Sequence, residues 1–197
     1  MNLLNDLNKR IQQIANIRLW LLLTLIMFGL GYAMTSSISP SAELMSLAGG
    51  RNVPDTQFWR SADSLYNQLT DYGAHGRSLY LTRVSPVDLF IPLAQALFLS
   101  VAITLLFREV FQPDSAWQLL NTLPFAAMIG DYLENASIVA IIIAYPNRLD
   151  ALALAAAFFT AIKFIASLAS IGLILLAVIA WLATKIRFKI FMKQEEK

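Results

Sequence analysis

The chain has no cysteine, a single histidine and few charged residues. Charged residues make up 14% of its 197 residues, with 15 Lys and Arg against 13 Asp and Glu. Without cysteine there are no disulfides, no thiol redox chemistry and no cysteine-ligated metal sites. With one histidine, a metal site would have to consist of carboxylates alone, so we expect no metal and no other cofactor. A net charge of +2 gives no reason to expect a nucleic-acid partner.

Apolar residues dominate what remains. They make up 57% of the chain, and the mean hydropathy is +0.59. A helix needs about 20 apolar residues to cross a hydrocarbon core about 30 Å thick. Four stretches meet this requirement, at about 18–35, 87–107, 117–145 and 151–184. Because they lack the alternation of barrel strands, we predict an all-α membrane protein, a bundle of four transmembrane helices in a single domain, 1–197.

Basic residues flank the first and last spans on the sides that lead to the termini. They are Lys9, Arg10 and Arg18, and then Lys185, Arg187, Lys189, Lys193 and Lys197. Since cytoplasmic flanks carry such an excess, we expect both termini in the cytoplasm. The sequence thus predicts a multi-pass protein of a cell membrane, which we take to be a bacterial inner membrane, with the lipid bilayer as its partner.

Two segments outside the spans have helical patterns. Apolar residues at helical spacing in 2–17 predict an amphipathic helix on the inner membrane surface. The first span reads as a retained anchor or as a secretory signal, and the lack of a clean cleavage site favours the anchor. The loop 36–85 is long enough to have its own structure. Within it, Asp55 as an N-cap and Gly73 as a terminator predict an extracytoplasmic helix at about 55–72.

A polar run interrupts the third span. Asp131, Glu134 and Asn135 are spaced i, i+3, i+4 and share one helix face. An unpaired charge in hydrocarbon is costly, so such side chains face a partner, a cavity or a ligand. A tight hairpin near position 147 brings Lys163 level with these carboxylates, and Thr160 lies on the same face as Lys163. We therefore predict a charge-compensated cluster between the last two spans.

The depth of this cluster follows from the helical rise. Lys163 lies about 33 Å from the basic cluster that begins at Lys185, at 1.5 Å per residue, which favours the outer half of the membrane. There the segment that leads into the second span can reach it. We predict that Arg77, Tyr80 and Asp88 join the site, with Arg77 or Arg83 balancing the second carboxylate. The alternatives are that Arg77 meets lipid phosphate and that Asp88 only starts a helix.

Several of these residues occur in short motifs. The motifs are Tyr-Gly-x-x-Gly-Arg-x-x-Tyr (Tyr72, Gly73, Gly76, Arg77, Tyr80), Asp-x-Phe-x-Pro (Asp88, Phe90, Pro92), Asp-x-x-Glu-Asn (Asp131, Glu134, Asn135) and Thr-x-x-Lys (Thr160, Lys163). In this order they resemble an uncharacterised family of small four-span membrane proteins, over about residues 70–165. The resemblance implies a four-helix fold with a shared site, and it brings no activity with it.

Three classes of function stay open. In the first, the cluster of Asp131, Glu134 and Lys163 binds or transports a small polar ligand, ion or proton, and four spans per chain then favour a homo-oligomer. In the second, the protein is a structural or assembly factor with a polar packing clamp. In the third, it is an intramembrane lipid-modifying enzyme with Glu134 or Asp131 as general acid or base. Its catalytic residues are unknown, because no nucleophile motif or cofactor loop is present.

Overall fold

The computed structural model describes residues 3–36 and 39–195, with side chains up to position 186. These residues form nine α-helices and no strand. The helices are α1 (Leu3–Ile14), α2 (Ile17–Thr35), α3 (Pro40–Leu47), α4 (Ala62–Asp71), α5 (Gly73–Leu79), α6 (Ser85–Val87), α7 (Ile91–Val110), α8 (Leu123–Ala144) and α9 (Asp150–Glu195). Pro54–Thr56 and Ala116–Thr122 are 3-10 helices, and Tyr80–Val84 is a π-helical turn. The all-α prediction is therefore confirmed for the described residues.

Four helical segments are long and apolar enough to cross a membrane. They contain α2, α7, α8 and α9, in the order the sequence predicted. These four helices begin within six residues of the predicted spans, and all but α9 end within three, whereas α9 continues eleven residues past the predicted end at 184. Proline lies in the first turns of α7 and α8, where its missing N–H costs nothing, and Ala116–Thr122 forms a separate 3-10 helix before α8.

The α8–α9 hairpin is the most closely packed pair. A Cβ atom added at Gly130 on α8 would lie 3.1 Å from both the backbone nitrogen of Lys163 and the backbone carbonyl oxygen of Phe159 on α9. On the facing side of α9, Ala153, Ala156 and Thr160 are fully buried. Small residues at such positions let helix backbones approach closely in lipid. Helix α7 packs on both members of the hairpin, whereas α2 packs mainly on α7.

The N-terminal helix and residues 39–85 of the predicted loop lie at opposite ends of the bundle. We call residues 39–85 the insertion. Arg108, near the end of α7, donates to the Ala15 carbonyl at 2.9 Å and holds α1 there. At the other end, Arg148 in the α8–α9 turn pairs with Asp63 at 2.6 Å. The Leu149 amide there donates to the Tyr66 hydroxyl at 2.5 Å. The insertion therefore covers the hairpin end of the bundle.

The helix predicted at about 55–72 is shorter in the structure. It begins at Ala62, because the Ser61 hydroxyl accepts a hydrogen bond from the Ser64 amide and caps it. The 3-10 helix Pro54–Thr56 and an irregular stretch, 57–61, replace the predicted first turns. Gly73, with a φ of 61°, ends α4 as predicted. The predicted start of this helix at Asp55 was therefore wrong. The irregular stretch 57–61 contains a residue of the site described below.

The insertion shares a hydrophobic core with the spans. Leu65 and Leu69 of α4 are fully buried in one cluster with Ile138 and Ile141 of α8 and Ala153 and Ala156 of α9. Burial of this kind stabilises by roughly 1.5–3 kcal/mol for each large side chain. The insertion is thus fixed on the spans by apolar packing, which positions its polar side chains over α8 and α9.

Candidate functional site

A buried ion pair joins the insertion to the α8–α9 hairpin. Arg60 Nη2 lies 3.1 Å from Glu134 Oε1, and their side chains are 1% and 0% exposed. On the other side of the carboxylate, Lys163 Nζ lies 2.7 Å from Glu134 Oε2. Because each carboxylate oxygen faces a cation, the buried charge of Glu134 is compensated on both sides.

Thr160 completes this group. Its hydroxyl lies 2.6 Å from Glu134 Oε1 and accepts a hydrogen bond from Arg60 Nη1 at 3.2 Å. Thr160 and Lys163 are three residues apart on α9, so both face Glu134 across the close contact at Gly130. We call Arg60, Glu134, Thr160 and Lys163 the clamp. It links three parts of the chain through contacts that leave Glu134 no exposure.

Arg60 is the residue that sequence reasoning missed. It precedes the Ser61 cap of α4, and its Nη1 also donates to the Pro54 carbonyl at 2.7 Å. In the sequence it is one of several loop arginines that balance loop carboxylates. The one available signal was the count of charges in the predicted cluster, because Lys163 alone left one of its two carboxylates without a cation.

Arg77, one of the two arginines that we predicted as that counter-charge, lies elsewhere. Its Nη1 donates to the Leu69 carbonyl at 2.7 Å, and its guanidinium lies 4.0 Å from the centre of the Tyr145 ring. Both contacts hold the end of α4 against the α8–α9 turn. The prediction was wrong because α5 directs Arg77 along the insertion instead of toward α8.

Lys163 also connects the clamp with Asp55 and Asp131. Its ammonium donates to the Asp55 backbone carbonyl at 2.7 Å and lies 3.5 Å from Asp131 Oδ1. Asn135 Nδ2 donates to the same Asp131 oxygen at 3.2 Å. With Glu134 Oε2 at 2.7 Å, three oxygen atoms therefore lie within 3.5 Å of the Lys163 ammonium. The predicted residues Asp131, Glu134, Asn135, Thr160 and Lys163 lie together.

A second feature lies beside the clamp. A cavity of about 200 Å³ is lined by three carboxylic acids and by apolar side chains from α2 and α7. The acids are Asp55, Asp88 and Asp131, and the apolar lining includes Met27, Leu30, Met34, Ile91 and Pro92. We call this space the acidic cavity. The acids come from the insertion, from the turn before α7 and from α8, so folding alone brings them together.

Asp88 is the most buried of these acids. It is 5% exposed, and its Oδ2 has no hydrogen-bond partner among the described residues. It does not serve as the helix-start residue of our alternative reading, because Phe90 is the N-cap of α7. Tyr80, the first residue of the π-helical turn Tyr80–Val84, is also fully buried. Its hydroxyl has no hydrogen-bond partner among the described residues either.

The charges around the acidic cavity do not balance. Asp55, Asp88, Asp131 and Glu134 contribute four carboxylates, and Arg60 and Lys163 contribute two cations. Among the residues described, no three His, Asp or Glu side chains are grouped as metal ligands. The arrangement therefore has more carboxyl groups than cations beside a space larger than a bare metal ion requires.

Known proteins give no guide to the site. A scan against models of protein families and searches of curated proteins and of solved structures found nothing that matches this chain. The resemblance to a four-span family stays a prediction. Inference about function therefore depends on the geometry of the clamp and the acidic cavity.

Proposed function

We propose that this protein is a multi-pass membrane protein that binds a small organic ammonium ion in the acidic cavity. The sequence left a small polar ligand, an ion and a proton open. The burial of Asp88 favours a cation among these ligands. Its side chain is 5% exposed and lines the cavity, and its Oδ2 has no hydrogen-bond partner among the described residues. A buried carboxylate without a cation is costly, so a bound cation would relieve that cost.

Charge supports a cation over an anion or a neutral ligand. The protein's own cations near the cavity are engaged, since Lys163 contacts Glu134, Asp131 and the Asp55 carbonyl. The three acids that line the space offer hydrogen-bond acceptors when ionised. A ligand with N–H donors and a positive charge complements them, because charge-assisted hydrogen bonds are about twice as strong as neutral ones.

Size and lining support an organic ammonium ion over a metal ion. The cavity measures about 200 Å³, and methionine, leucine, isoleucine and proline side chains form much of its wall. The carbon atoms of an organic cation would make apolar contacts with these side chains. No aromatic ring lines the cavity in the described part of the chain. A primary ammonium, which donates hydrogen bonds, therefore suits it better than a quaternary one, which depends on aromatic faces.

The clamp supports a structural role for Glu134, Arg60, Thr160 and Lys163. Both Glu134 oxygens face cations, and the side chain is fully buried. This geometry argues against Glu134 as the general acid or base of the enzyme alternative, because such a group must reach the reacting atoms, and it leaves Asp131 as the other candidate of that alternative. We propose that the clamp holds the insertion on the hairpin and thereby forms one wall of the acidic cavity.

We further propose that both termini lie in the cytoplasm of a bacterial inner membrane and that the insertion is extracytoplasmic. The basic residues near both termini support this orientation. The contact of α1 with the Arg108 end of α7, opposite the insertion, agrees with it. In this orientation the acidic cavity lies in the outer half of the membrane, on the side of the insertion.

Titration with ethylammonium chloride tests the proposed function. The protein is purified in lipid nanodiscs, and heat of binding is measured against empty nanodiscs. We expect saturable binding that Asp88→Asn weakens about tenfold or more, since a hydrogen bond to a charged group contributes about 1.5–3 kcal/mol. Asp114→Asn, an exposed aspartate beyond α7, is the matched control and keeps wild-type affinity. Absence of saturable binding, or equal loss in both variants, would overturn the proposal.

A further inference from the structure

A groove on the outside of the bundle leads to the acidic cavity. A space of about 480 Å³ lies between α2 and α7, and its lining includes Thr24, Phe28, Tyr32 and Phe98. Met27 and Gly31 line both this groove and the acidic cavity. A Cβ atom added at Gly31 would meet no other described part of the protein within 4 Å. The groove and the cavity therefore adjoin along α2, where Met27 and Gly31 border both.

The groove faces the surface that an apolar solvent would cover. Within α2, which the structure describes in full, Leu23 is the one buried side chain. Phe28 and Tyr32 in the groove are 75% and 77% exposed. Because α2 packs mainly on α7, the groove opens sideways from the bundle. In a bilayer it would open toward the acyl chains.

We propose that the ligand is a cationic amphiphile, with a primary ammonium head in the acidic cavity and a single hydrocarbon chain in the groove. This inference rests on the proposed function and names its ligand class. Carboxylates at one end and apolar side chains at the other match the two halves of such a molecule. The ligand would enter from the membrane, so its chain would exchange lipid for protein contacts without crossing water.

A second opening explains why short amines also reach the acids. A recess of about 400 Å³ between α2 and the insertion includes Met34 and Asp55 in its lining, and both also line the acidic cavity. A water-soluble amine has access from this side. Changes to the groove beyond Gly31 should therefore affect long-chain ligands and spare short ones.

Thr24 offers the site for a selective test. It lines the groove and not the acidic cavity, and it lies seven residues, or about 10 Å, from Gly31 on the same helix face. Thr24→Trp would fill the groove where a dodecyl chain passes and an ethyl group does not reach. Leu25→Trp is the matched control, because Leu25 is 70% exposed and belongs to neither space.

The experiment compares ethylammonium with dodecylammonium in nanodiscs, with empty nanodiscs subtracted to remove partition into lipid. We expect wild-type protein to bind dodecylammonium about tenfold more tightly than ethylammonium or better, about 1.4 kcal/mol for each tenfold. Thr24→Trp should remove this gain and leave ethylammonium binding unchanged, and Leu25→Trp should retain it.

Three results would overturn the inference. One is equal affinity for the two amines, and another is equal behaviour of Thr24→Trp and Leu25→Trp. The third is a change in the protein's oligomeric mass on Thr24→Trp without a change in dodecylammonium affinity, which would identify the groove as an interface between copies. In each case Asp88-dependent binding of ethylammonium would leave the proposed function standing. Loss of that binding as well would overturn both.

Discussion

Arg60 and Glu134, which are 74 residues apart in the chain, meet in an ion pair whose two side chains are 1% and 0% exposed. The contact joins the irregular stretch 57–61 of the insertion to the middle of α8. It explains how two carboxylates tolerate an apolar span. Glu134 is compensated by Arg60 and Lys163, and Asp131, beside the same lysine, faces the acidic cavity.

Loss of the Glu134 charge should destabilise the protein. Glu134→Gln leaves Arg60 and Lys163 without their shared carboxylate, and an uncompensated buried charge costs about 3–5 kcal/mol. We expect a lower melting temperature in nanodiscs. Glu109→Gln, an exposed glutamate on α7, is the control and should leave it unchanged. Equal melting temperatures for the two variants would show that the clamp contributes nothing to stability.

A double-mutant cycle should distinguish Arg60 from Arg77 as the partner of Glu134. Arg60→Met and Glu134→Gln remove two sides of one contact, so their effects should be non-additive by about 0.5–3 kcal/mol. Arg77→Met and Glu134→Gln should add, because Arg77 contacts Leu69 and Tyr145 instead. Unfolding free energies of the single and double variants measure both couplings. A coupling at Arg77 and none at Arg60 would contradict the structure.

Close packing of the hairpin should depend on Gly130. Gly130→Ala puts a methyl group 3.1 Å from backbone atoms of α9 that cannot rotate away. We expect a loss of about 1–3 kcal/mol, measured by thermal unfolding. Gly172→Ala, also within a helix but with open space around the added carbon, should be neutral or slightly stabilising. Tolerance of alanine at both positions would mean that α8 and α9 are less closely packed than described.

The proposed orientation can be tested on a chain that contains no cysteine of its own. His75→Cys in the insertion and Asp114→Cys between α7 and α8 each introduce one exposed thiol. A membrane-impermeant maleimide added to intact cells, with the outer membrane permeabilised, should label His75→Cys and not Asp114→Cys. The reverse pattern would place the insertion and the acidic cavity on the cytoplasmic side.

Periodic and short-range features of this protein were predictable from its sequence. Four apolar helices follow from length and composition, and Lys163 was expected near Glu134 because a tight hairpin fixes the register of its two arms. The clamp and the acidic cavity also depend on residues from the insertion, whose contacts are long-range. Arg60 acts from an irregular stretch, and Asp55 was assigned to a helix cap. Neither role has a periodic signal, since each depends on the apolar core that the insertion shares with α8 and α9.

The most direct test of the account is the effect of ethylammonium on thermal unfolding of wild-type protein, Asp88→Asn and Asp114→Asn in nanodiscs. At about 100 times the Kd, ligand should stabilise wild type and Asp114→Asn by about 2.7 kcal/mol. At the same ligand concentration, a tenfold weaker affinity leaves Asp88→Asn a shift of about 1.4 kcal/mol, so we expect half the wild-type shift or less. Without ligand this variant should unfold at or above the wild-type temperature, because the substitution removes a buried carboxylate. An equal shift in all three proteins, or none in wild type, would contradict the assignment of the acidic cavity as a cation site.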